Sequence, residues 1–288
     1  MIESLGARGA VVGFAVALAT MAACDGDAET GSASSGTGGT TSSGAGGGGE
    51  GGAATGGSGG SSTSTSGGGG GAGGVAAVVY HEVDGLVAVE AEHFDTNDDQ
   101  NTPRAWYVTT TTIDPGVTPD PDEPHADSAS NTAYVEGLPD TRVTHDDPIQ
   151  EGESIFNNVG TGPTLTYRVY FDNPGTYYVW VRAYSTGTED NGIHAGIDGS
   201  WPATGERVQF CSGKNQWTWS SAQRDSGNPP SACGAPNTVT LEVPAAGEHT
   251  IAFSMREDGF EFDKWIMSDD VTFVPDGAGP PEVEYTGG

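Results

Sequence analysis

The stretch Tyr177–Tyr184 alternates strictly between two kinds of residue, which is the period of a β-strand with one buried face. The row predicted to be buried is Tyr177, Val179, Val181 and Ala183. The row predicted to face solvent is Tyr178, Trp180 and Arg182. A chain that carries such a strand has to bury one face of a sheet against a second layer.

The other strand-like stretches are equally short, and turns rich in Gly, Pro and Asn separate them. They are Leu86–Glu92, Leu165–Phe171, Ile193–Ile197, Val208–Phe210 and Thr238–Val243. No stretch carries a sustained apolar period of 3.6 residues with helix caps. This pattern predicts an all-β domain, a β-sandwich of the jelly-roll kind.

The stretch His249–Met267 predicts a β-hairpin. Its first arm alternates through Ile251, Phe253 and Met255, and Arg256–Gly259 supplies turn chemistry. Asp263 and Lys264 interrupt the second arm, Phe260–Met267. A carboxylate inside a strand is costly unless it has a partner, so we expect Asp263 to contact a metal, an arginine or a hydrogen-bond network.

The chain begins like an exported protein. Ala10–Ala19 is an apolar run of the length of a signal-peptide core and is too short to span a membrane. Leu18–Cys24 resembles a bacterial lipobox, which predicts a signal peptide over residues 1–23 and a lipid on Cys24; ordinary signal cleavage nearby is the alternative. We therefore expect export to the cell envelope, at the outer surface or in the periplasm, with membrane contact only through the lipid anchor.

A linker follows the signal. Residues 24–74 are nearly all Gly, Ser, Thr and Ala, a composition that predicts a disordered coil with an end-to-end distance on the order of 40 Å. Residues 75–276 are long enough for one core and form the predicted β-domain. Residues 277–288 are rich in Pro and Gly and are predicted to be a flexible tail.

The charge balance excludes one class of partner. Ten basic residues face 40 acidic ones, so the net charge is −30 and nucleic acid would be repelled. The same balance favours solubility and the binding of divalent cations. A solvated acidic surface is the alternative that covers most of these carboxylates.

The cysteines predict one disulfide. Cys211 and Cys233 remain once Cys24 is lipidated or removed, and thiols of exported proteins pair. The bond would close the segment Ser212–Ala232 and stabilise the fold by about 3 kcal/mol on the loop-entropy model.

Two glutamates offer metal ligands. Glu90 and Glu92 lie two residues apart, so their side chains share one face of a strand and repel each other unless a cation lies between them. Calcium prefers such oxygen ligands. A solvent-facing pair on an edge strand is the equally good alternative from the spacing alone.

Three motifs resemble one family. Val89–Phe94 resembles the N-terminal signature of family 6 and family 35 carbohydrate-binding modules, and Gly175–Ala183 resembles their G-x-Y-x-V-x-V-R strand. The stretch from Gly247–Ile251 through Phe262–Ile266 resembles their final hairpin. The matches follow the family's order and span most of residues 75–276.

The resemblance implies a galactose-binding-like β-jelly roll with a structural calcium ion. By analogy with the family, the ligands would be Glu90, Glu92 and Asp263. The family binds sugars in loops at one end of the fold, where this chain departs from the pattern over Thr109–Ile155 and Trp201–Cys233. The ligand itself is therefore not carried over.

Aromatic residues in the loops are the candidates for sugar contact, because a flat ring stacks on the C–H face of a pyranose. The first candidates are Trp201, Trp217 and Trp219, and the second are Trp106 and Tyr134. Asn215 and Arg224 lie nearby in sequence and offer hydrogen bonds to hydroxyl groups. The alternative is that these rings plug the core beneath a disulfide-tied loop.

The combined evidence predicts a non-catalytic, calcium-stabilised module that is tethered to the cell surface, binds a polysaccharide or other glycan, and is a monomer. One alternative is a small glycoside hydrolase or lyase on the same fold. Another is an adhesion or envelope protein that recognises a protein partner. No G-x-S-x-G elbow accompanies a strand–helix turn and the histidines form no H-E-x-x-H pair, so neither motif supports an enzyme.

Overall fold

The computed structural model describes residues 78–187, 189–210, 213–223 and 238–287. The predictions for the signal peptide, the linker, Cys24, the Cys211–Cys233 disulfide and Arg224 lie outside these residues. The described chain is all-β, as predicted, with thirteen strands and three short 3-10 turns. No helix in this part of the chain is long and apolar enough to cross a membrane.

The strands match the sequence pattern where alternation is strong, and several shorter ones were not predicted. Their bounds are β1 Val79–His81, β2 Leu86–Glu90, β3 Thr96–Asp98, β4 Ala105–Thr110, β5 Ala133–Leu138, β6 Thr164–Phe171, β7 Gly175–Tyr184, β8 Gly192–Ile197, β9 Val208–Gln209, β10 Thr218–Ser220, β11 Thr240–Val243, β12 Gly247–Met255 and β13 Glu261–Ser268.

Two sheets form a β-sandwich. The six-stranded sheet has the order β1-β6-β12-β8-β9, with β3 also paired to β6. The seven-stranded sheet has the order β10-β7-β13-β5-β4, with β11 on β7 and β2 on β13. The buried row predicted for β7, from Tyr177 to Ala183, lies in the core between the sheets, where Phe253 and Trp265 also pack.

The predicted hairpin is wrong, because its two arms lie in different sheets. β12 pairs with β6 and β8, whereas β13 pairs with β7 on one side and with β2 and β5 on the other. Each arm is therefore a central strand with both edges occupied. The segment Arg256–Phe260 carries the chain from one sheet to the other.

A β-bulge interrupts β13 at Asp263. Phe262 pairs with β5, Lys264 pairs with β2, and the register against β7 shifts between them. A bulge inserts one unpaired residue and turns its side chain in a new direction. Asp263 thus lies where β13 changes partners, which explains how a carboxylate fits into a strand whose neighbours Phe262 and Trp265 face the core.

The middle of the outer face of β7 is covered rather than wet, so this prediction is wrong for Trp180 and Arg182, whereas Tyr178 is half-buried. Trp180 is 4% exposed and Arg182 is 8% exposed. Trp180 packs in a small outer cluster with Ala88 and Ile266, against which Trp219 and the chain after β13 lie. The sequence pattern of one strand does not show that a distant segment folds over it.

The C-terminal segment, predicted to be flexible, is hydrogen-bonded to the sandwich. The backbone N–H of His81 donates to Val283 O over 2.7 Å, and that of Tyr285 donates to Val79 O over 2.7 Å. The ring of Tyr285 stacks on Tyr170 with 4.1 Å between centroids. Glu282 accepts a hydrogen bond from the backbone N–H of Glu90 over 2.8 Å, which ties this segment to the end of β2.

His194 on β8 is held as a neutral imidazole. Its Nε2–H donates to Phe156 O over 3.1 Å, and its Nδ1 accepts the backbone N–H of Arg207 over 3.0 Å. Burial lowers the pKa of His194 to about 4, since protonation would place a charge in the core and break the second bond.

Acid should therefore weaken the fold through His194. Because the folded-state pKa lies below the unfolded value of about 6.5, the unfolded chain binds the extra proton and stability falls as pH drops from 6.5 to 4. The contribution is about 3 kcal/mol, from a shift of roughly 2.5 pKa units at about 1.4 kcal/mol each. The free energy of unfolding, measured by urea denaturation, should change less with pH in His194→Gln than in the wild type.

The exposed His145 provides the matched control, because its side chain is 64% exposed. His145→Gln should leave the pH dependence of the unfolding free energy unchanged. Parallel curves for His194→Gln and the wild type between pH 7 and 4 would contradict the assignment.

Candidate functional site

The predicted calcium ligands lie near one another but have other partners. Asp263 Oδ2 accepts from Arg182 Nη1 over 2.5 Å, and its Oδ1 accepts the backbone N–H of Ser130 over 2.7 Å. Burial raises the pKa of Asp263 to about 6, although the Arg182 charge acts in the opposite direction. Asp263 thus has the arginine and hydrogen-bond network that the sequence allowed as an alternative to a metal.

Glu90 and Glu92 are only half satisfied. Glu90 Oε1 accepts from Lys264 Nζ over 2.8 Å and from Ser130 Oγ over 2.9 Å, and Glu92 Oε1 accepts from Asn131 Nδ2 over 3.2 Å. Among the described residues, the second oxygen of each carboxylate is buried without a hydrogen-bond partner. Two orphaned carboxylate oxygens are a donor set that fits a hard cation such as Ca²⁺.

The electrostatics of this pair agree with a missing positive charge. The pKa of Glu92 is raised to about 7 by burial, with a smaller contribution from the Glu90 charge. Glu90, Glu92 and Asp263 are not among the described groups of three whose ligand atoms all lie within 4.8 Å of one another. Asp263 is thus engaged by Arg182, and the second oxygens of Glu90 and Glu92 are the ones left without a donor in the described structure.

The loop tryptophans separate into three places. Trp217 lies on the outer face of the seven-stranded sheet beside Tyr184, with 5.5 Å between ring centroids, and Arg182 Cζ lies 5.5 Å from the Trp217 centroid. Trp219 lies further along the same face and donates from Nε1 to Gly277 O over 3.0 Å. Trp201 packs over Gly196 of the other sheet, where an added Cβ would lie 2.7 Å from its ring.

A half-exposed aromatic patch surrounds Trp217. The ring of His125 stacks on Tyr184 with 3.6 Å between centroids, and Trp217 Nε1 donates to His125 O over 3.4 Å. Asn215 is exposed, and its backbone N–H donates to Ser185 O at the end of β7. We call His125, Tyr184, Asn215 and Trp217 the Trp217 surface.

The two second-tier candidates are buried. Trp106 is 2% exposed and donates from Nε1 to Pro163 O over 2.9 Å inside the core. Tyr134 is 1% exposed and its hydroxyl donates to Glu136 over 3.4 Å. Neither ring reaches the surface. Trp106 on β4 faces the core, and Tyr134 on β5 packs edge-on against Trp217, with 5.4 Å between ring centroids. Neither β4 nor β5 was recognised as a strand from the sequence, so this burial was not predicted.

Sequence reasoning missed His125 and Tyr184. Tyr184 continues the outward row of β7, so extending the alternation by two residues beyond Arg182 would have found it. His125 lies in the segment between β4 and β5, and no local signal relates it to Trp217, 92 residues later.

Four carboxyl groups lie under this patch. Glu136 on β5 and Glu261 on β13 are direct cross-strand neighbours, and Tyr184 is the partner of Glu261 on its other side. Asp120 and Asp122 approach from the segment between β4 and β5. We call Asp120, Asp122, His125, Glu136 and Glu261 the outer-face cluster.

Burial is the largest cause of the pKa shifts of the carboxyl groups in this cluster. It raises the pKa of Glu136 to about 10, with the Glu261 charge as the next cause, and raises the pKa of Glu261 well above its usual value. The pKa of Asp120 rises to about 6, again from burial first and from Asp122 second. Like charges placed opposite each other across two strands destabilise a sheet, so the cluster requires protons or a cation.

Three carboxylates in the loops beside β7 and between β5 and β6 have structural partners, which leaves them poorly placed to act as a catalytic acid and base. Glu189 forms a buried ion pair with Arg142. Asp190 accepts hydrogen bonds from the backbone N–H groups of Thr186 and Gly187 and so holds the turn after β7. Asp147 similarly accepts from Thr144.

One family model and one curated relative match the sequence. A family model for the glycosyl hydrolase family 115 C-terminal domain matches residues 145–282. Uncharacterized protein P23 of Formosa agariphila is 48% identical over 205 residues, which are 70% of this chain and 48% of that protein. The chain therefore spans about half the length of this curated relative.

Similar solved structures include three sandwich domains. The Podospora anserina GH26-CBM35 β-(1,4)-mannanase is 13% identical, with 67% of this chain and 29% of that chain covered and a TM-score of 0.37. A family 35 carbohydrate-binding module of Clostridium thermocellum is 12% identical (63% and 96% covered, TM-score 0.32). The C-terminal CBM6 of the laminarinase LamC from Zobellia galactanivorans is 15% identical (64% and 99% covered, TM-score 0.32).

Replacing Asp263 separates its two possible roles. Asp263→Asn leaves Arg182 without its charged partner, and breaking one side of a buried ion pair costs about 3–5 kcal/mol. Chemical unfolding should show this loss equally in calcium and in EDTA, because the partner of Asp263 is an arginine.

The exposed Asp146 offers the control, and Asp146→Asn should leave the unfolding free energy within about 0.5 kcal/mol of the wild type. A destabilisation by Asp263→Asn that is present in calcium and absent in EDTA would instead identify Asp263 as a metal ligand.

Proposed function

We propose that this protein is a non-catalytic carbohydrate-binding module that contacts a glycan through the Trp217 surface and is stabilised by calcium. The observation that carries the proposal is the half-exposed Trp217 ring, framed by the stacked pair His125–Tyr184 on the outer face of a β-sandwich. The similarity of the sequence motifs to family 6 and family 35 modules supports the same function.

The chemistry of the Trp217 surface suits a sugar. An aromatic ring that is fixed by its neighbours presents a flat apolar face at little cost in side-chain entropy, and a pyranose ring presents a matching face of C–H groups. Asn215 is exposed beside it and offers both a donor and an acceptor to hydroxyl groups. Polar groups around the ring would orient the sugar, and the ring would provide the contact area.

The net charge of the chain favours a neutral glycan over an anionic one. At a net charge of −30, the protein repels polyanions over a Debye length of about 8 Å at physiological salt. A neutral polysaccharide is therefore the preferred ligand class.

The proposed calcium ion would be held by Glu90 and Glu92 through their orphaned oxygens. It would neutralise two carboxylates at the end of β2, beside the point where Glu282 anchors the C-terminal segment. The ion would bind at the end of a strand, whereas the proposed glycan contact is at the Trp217 surface. Its role would therefore be to stabilise the fold and not to contact the glycan.

The proposal places the module outside the cytoplasm, with the predicted lipid on Cys24 and the Gly/Ser-rich residues 24–74 as an anchor and a stalk. A stalk of this length would let a monomeric domain search a volume around its anchor for an insoluble glycan. Hydrolysis is the alternative outcome, because carboxyl groups lie near the aromatic patch.

Glycan binding should depend on Trp217 and not on Trp201. On a panel of neutral polysaccharides, Trp217→Ala should weaken binding at least about tenfold, since a central aromatic contact is worth about 2 kcal/mol or more. Affinity electrophoresis or calorimetry measures the change, and an assay for new reducing ends detects hydrolysis.

Trp201→Ala is the matched control, because Trp201 is half-buried on the opposite sheet. It should retain the wild-type affinity. Wild-type affinity in Trp217→Ala would refute the assignment of the surface, and release of reducing ends by the wild type would favour the enzyme.

Calcium should raise the melting temperature through Glu90 and Glu92. A ligand at 100 times its Kd stabilises the folded state by about 2.7 kcal/mol, so the wild type should melt later in calcium than in EDTA. Glu92→Gln should abolish the difference, whereas Glu153→Gln, at an exposed position, should preserve it. Identical melting of the wild type in the two buffers would refute the calcium site.

A further inference from the structure

We propose that the outer-face cluster is a second divalent-cation site, which prefers a first-row transition ion such as Mn²⁺ or Zn²⁺ to Ca²⁺. This inference does not depend on the proposed glycan binding. The residues of this cluster differ from Glu90 and Glu92, the proposed calcium ligands. Two of them lie on β5 and β13, and the other three lie in the segment between β4 and β5.

The geometry supplies two ligand sets. In Asp122, His125 and Glu261 one ligand atom from each residue lies within 4.8 Å of the others, and the same holds for Asp120, Asp122 and Glu136. Ligand atoms on opposite sides of one transition ion are about 4 Å apart, twice a metal–ligand distance of roughly 2.0–2.2 Å. Asp122 belongs to both sets, so its carboxylate can bridge two ions or shift between two positions.

An unsatisfied atom points independently to a ligand. Glu261 is 2% exposed, and its Oε1 accepts from His125 Nδ1 over 2.7 Å, but its Oε2 is buried without a hydrogen-bond partner in the described structure. A buried carboxylate oxygen without a donor loses its hydration and gains nothing in return. A cation would satisfy it.

The local charge balance also requires a cation. Glu136 and Glu261 face each other across two strands. The basic residues on the same face are engaged elsewhere, since Arg182 pairs with Asp263 and Lys264 pairs with Glu90. Within the cluster, His125 is the one group able to carry a positive charge, against four carboxyl groups.

The types of ligand in the cluster indicate which class of ion would bind. Calcium takes oxygen ligands, whereas an imidazole together with carboxylates suits Mn²⁺, Fe²⁺ or Zn²⁺. The proton between His125 and Glu261 marks the position that the ion would occupy, and its release on binding makes the affinity depend on pH. A bound ion would replace that proton and also reach Glu261 Oε2.

The ion would join two parts of the fold. Asp120, Asp122 and His125 belong to the segment between β4 and β5, whereas Glu136 and Glu261 belong to the sheet beneath it. The carbonyl of the same His125 accepts the hydrogen bond from Trp217 Nε1. The site would thus fix the segment that forms one side of the Trp217 surface.

Metal titration of the untagged, EDTA-treated chain tests the proposal. With calcium present in excess to occupy any site at Glu90 and Glu92, calorimetry and elemental analysis should give at least one equivalent of Mn²⁺ or Zn²⁺ per chain. Glu261→Gln and His125→Gln should each weaken this binding at least tenfold, and Glu153→Gln, at an exposed position outside both proposed sites, should leave it unchanged.

Two readouts keep a folding defect apart from a lost ligand. The melting temperature in EDTA reports folding, and Asp122→Asn provides a half-exposed ligand position should Glu261→Gln not fold. Failure of the wild type to bind Mn²⁺ or Zn²⁺, or wild-type affinity in both Glu261→Gln and Asp122→Asn, would overturn the site. Displacement of the bound ion by an equal concentration of calcium would overturn the preference for a transition ion.

Discussion

The buried ion pair between Arg182 and Asp263 is the interaction around which the seven-stranded sheet is arranged. Asp263 is the extra residue of the bulge at which β13 leaves β5 and begins to pair with β2. The bulge keeps Phe262 and Trp265 in the core on either side of it. Without a charged partner at this point, a fully buried carboxylate would oppose the pairing of the central strand.

Two rows of side chains cross the outer face of this sheet next to each other, and their electrostatics differ. One row runs Glu90, Lys264 and Arg182 and balances its charges within the described chain. The other runs Glu136, Glu261 and Tyr184 and does not balance them. The first row pairs its charges internally, apart from the second oxygen of Glu90, whereas the carboxyl groups of the second row have His125 as their one basic neighbour in the outer-face cluster.

The aromatic patch and the acidic cluster share His125. Its ring stacks on Tyr184, its Nδ1 bonds Glu261, and its carbonyl accepts from Trp217. Any group that moves this residue changes both the flat surface offered to a ligand and the geometry of the carboxylates beneath it. The aromatic patch and the outer-face cluster are therefore coupled through one residue.

The sequence by itself determined the local elements of this protein. Strict alternation specified β7 and its buried row, and the motif around Glu90 identified two carboxylates whose second oxygens the structure leaves without donors. Alternation is a property of neighbouring residues, so it can be recognised without knowledge of the fold. The all-β class follows from it.

Only the tertiary structure decided where those elements go. Contacts between residues far apart in sequence decide which strands pair with β12 and β13. Such contacts also decide that Trp180 is buried and that Trp217 contacts His125. A strand pattern specifies which face is apolar, but it does not specify which partner covers that face. Long-range packing makes that choice, because it is the sum of burial over the whole sandwich that separates one arrangement from another.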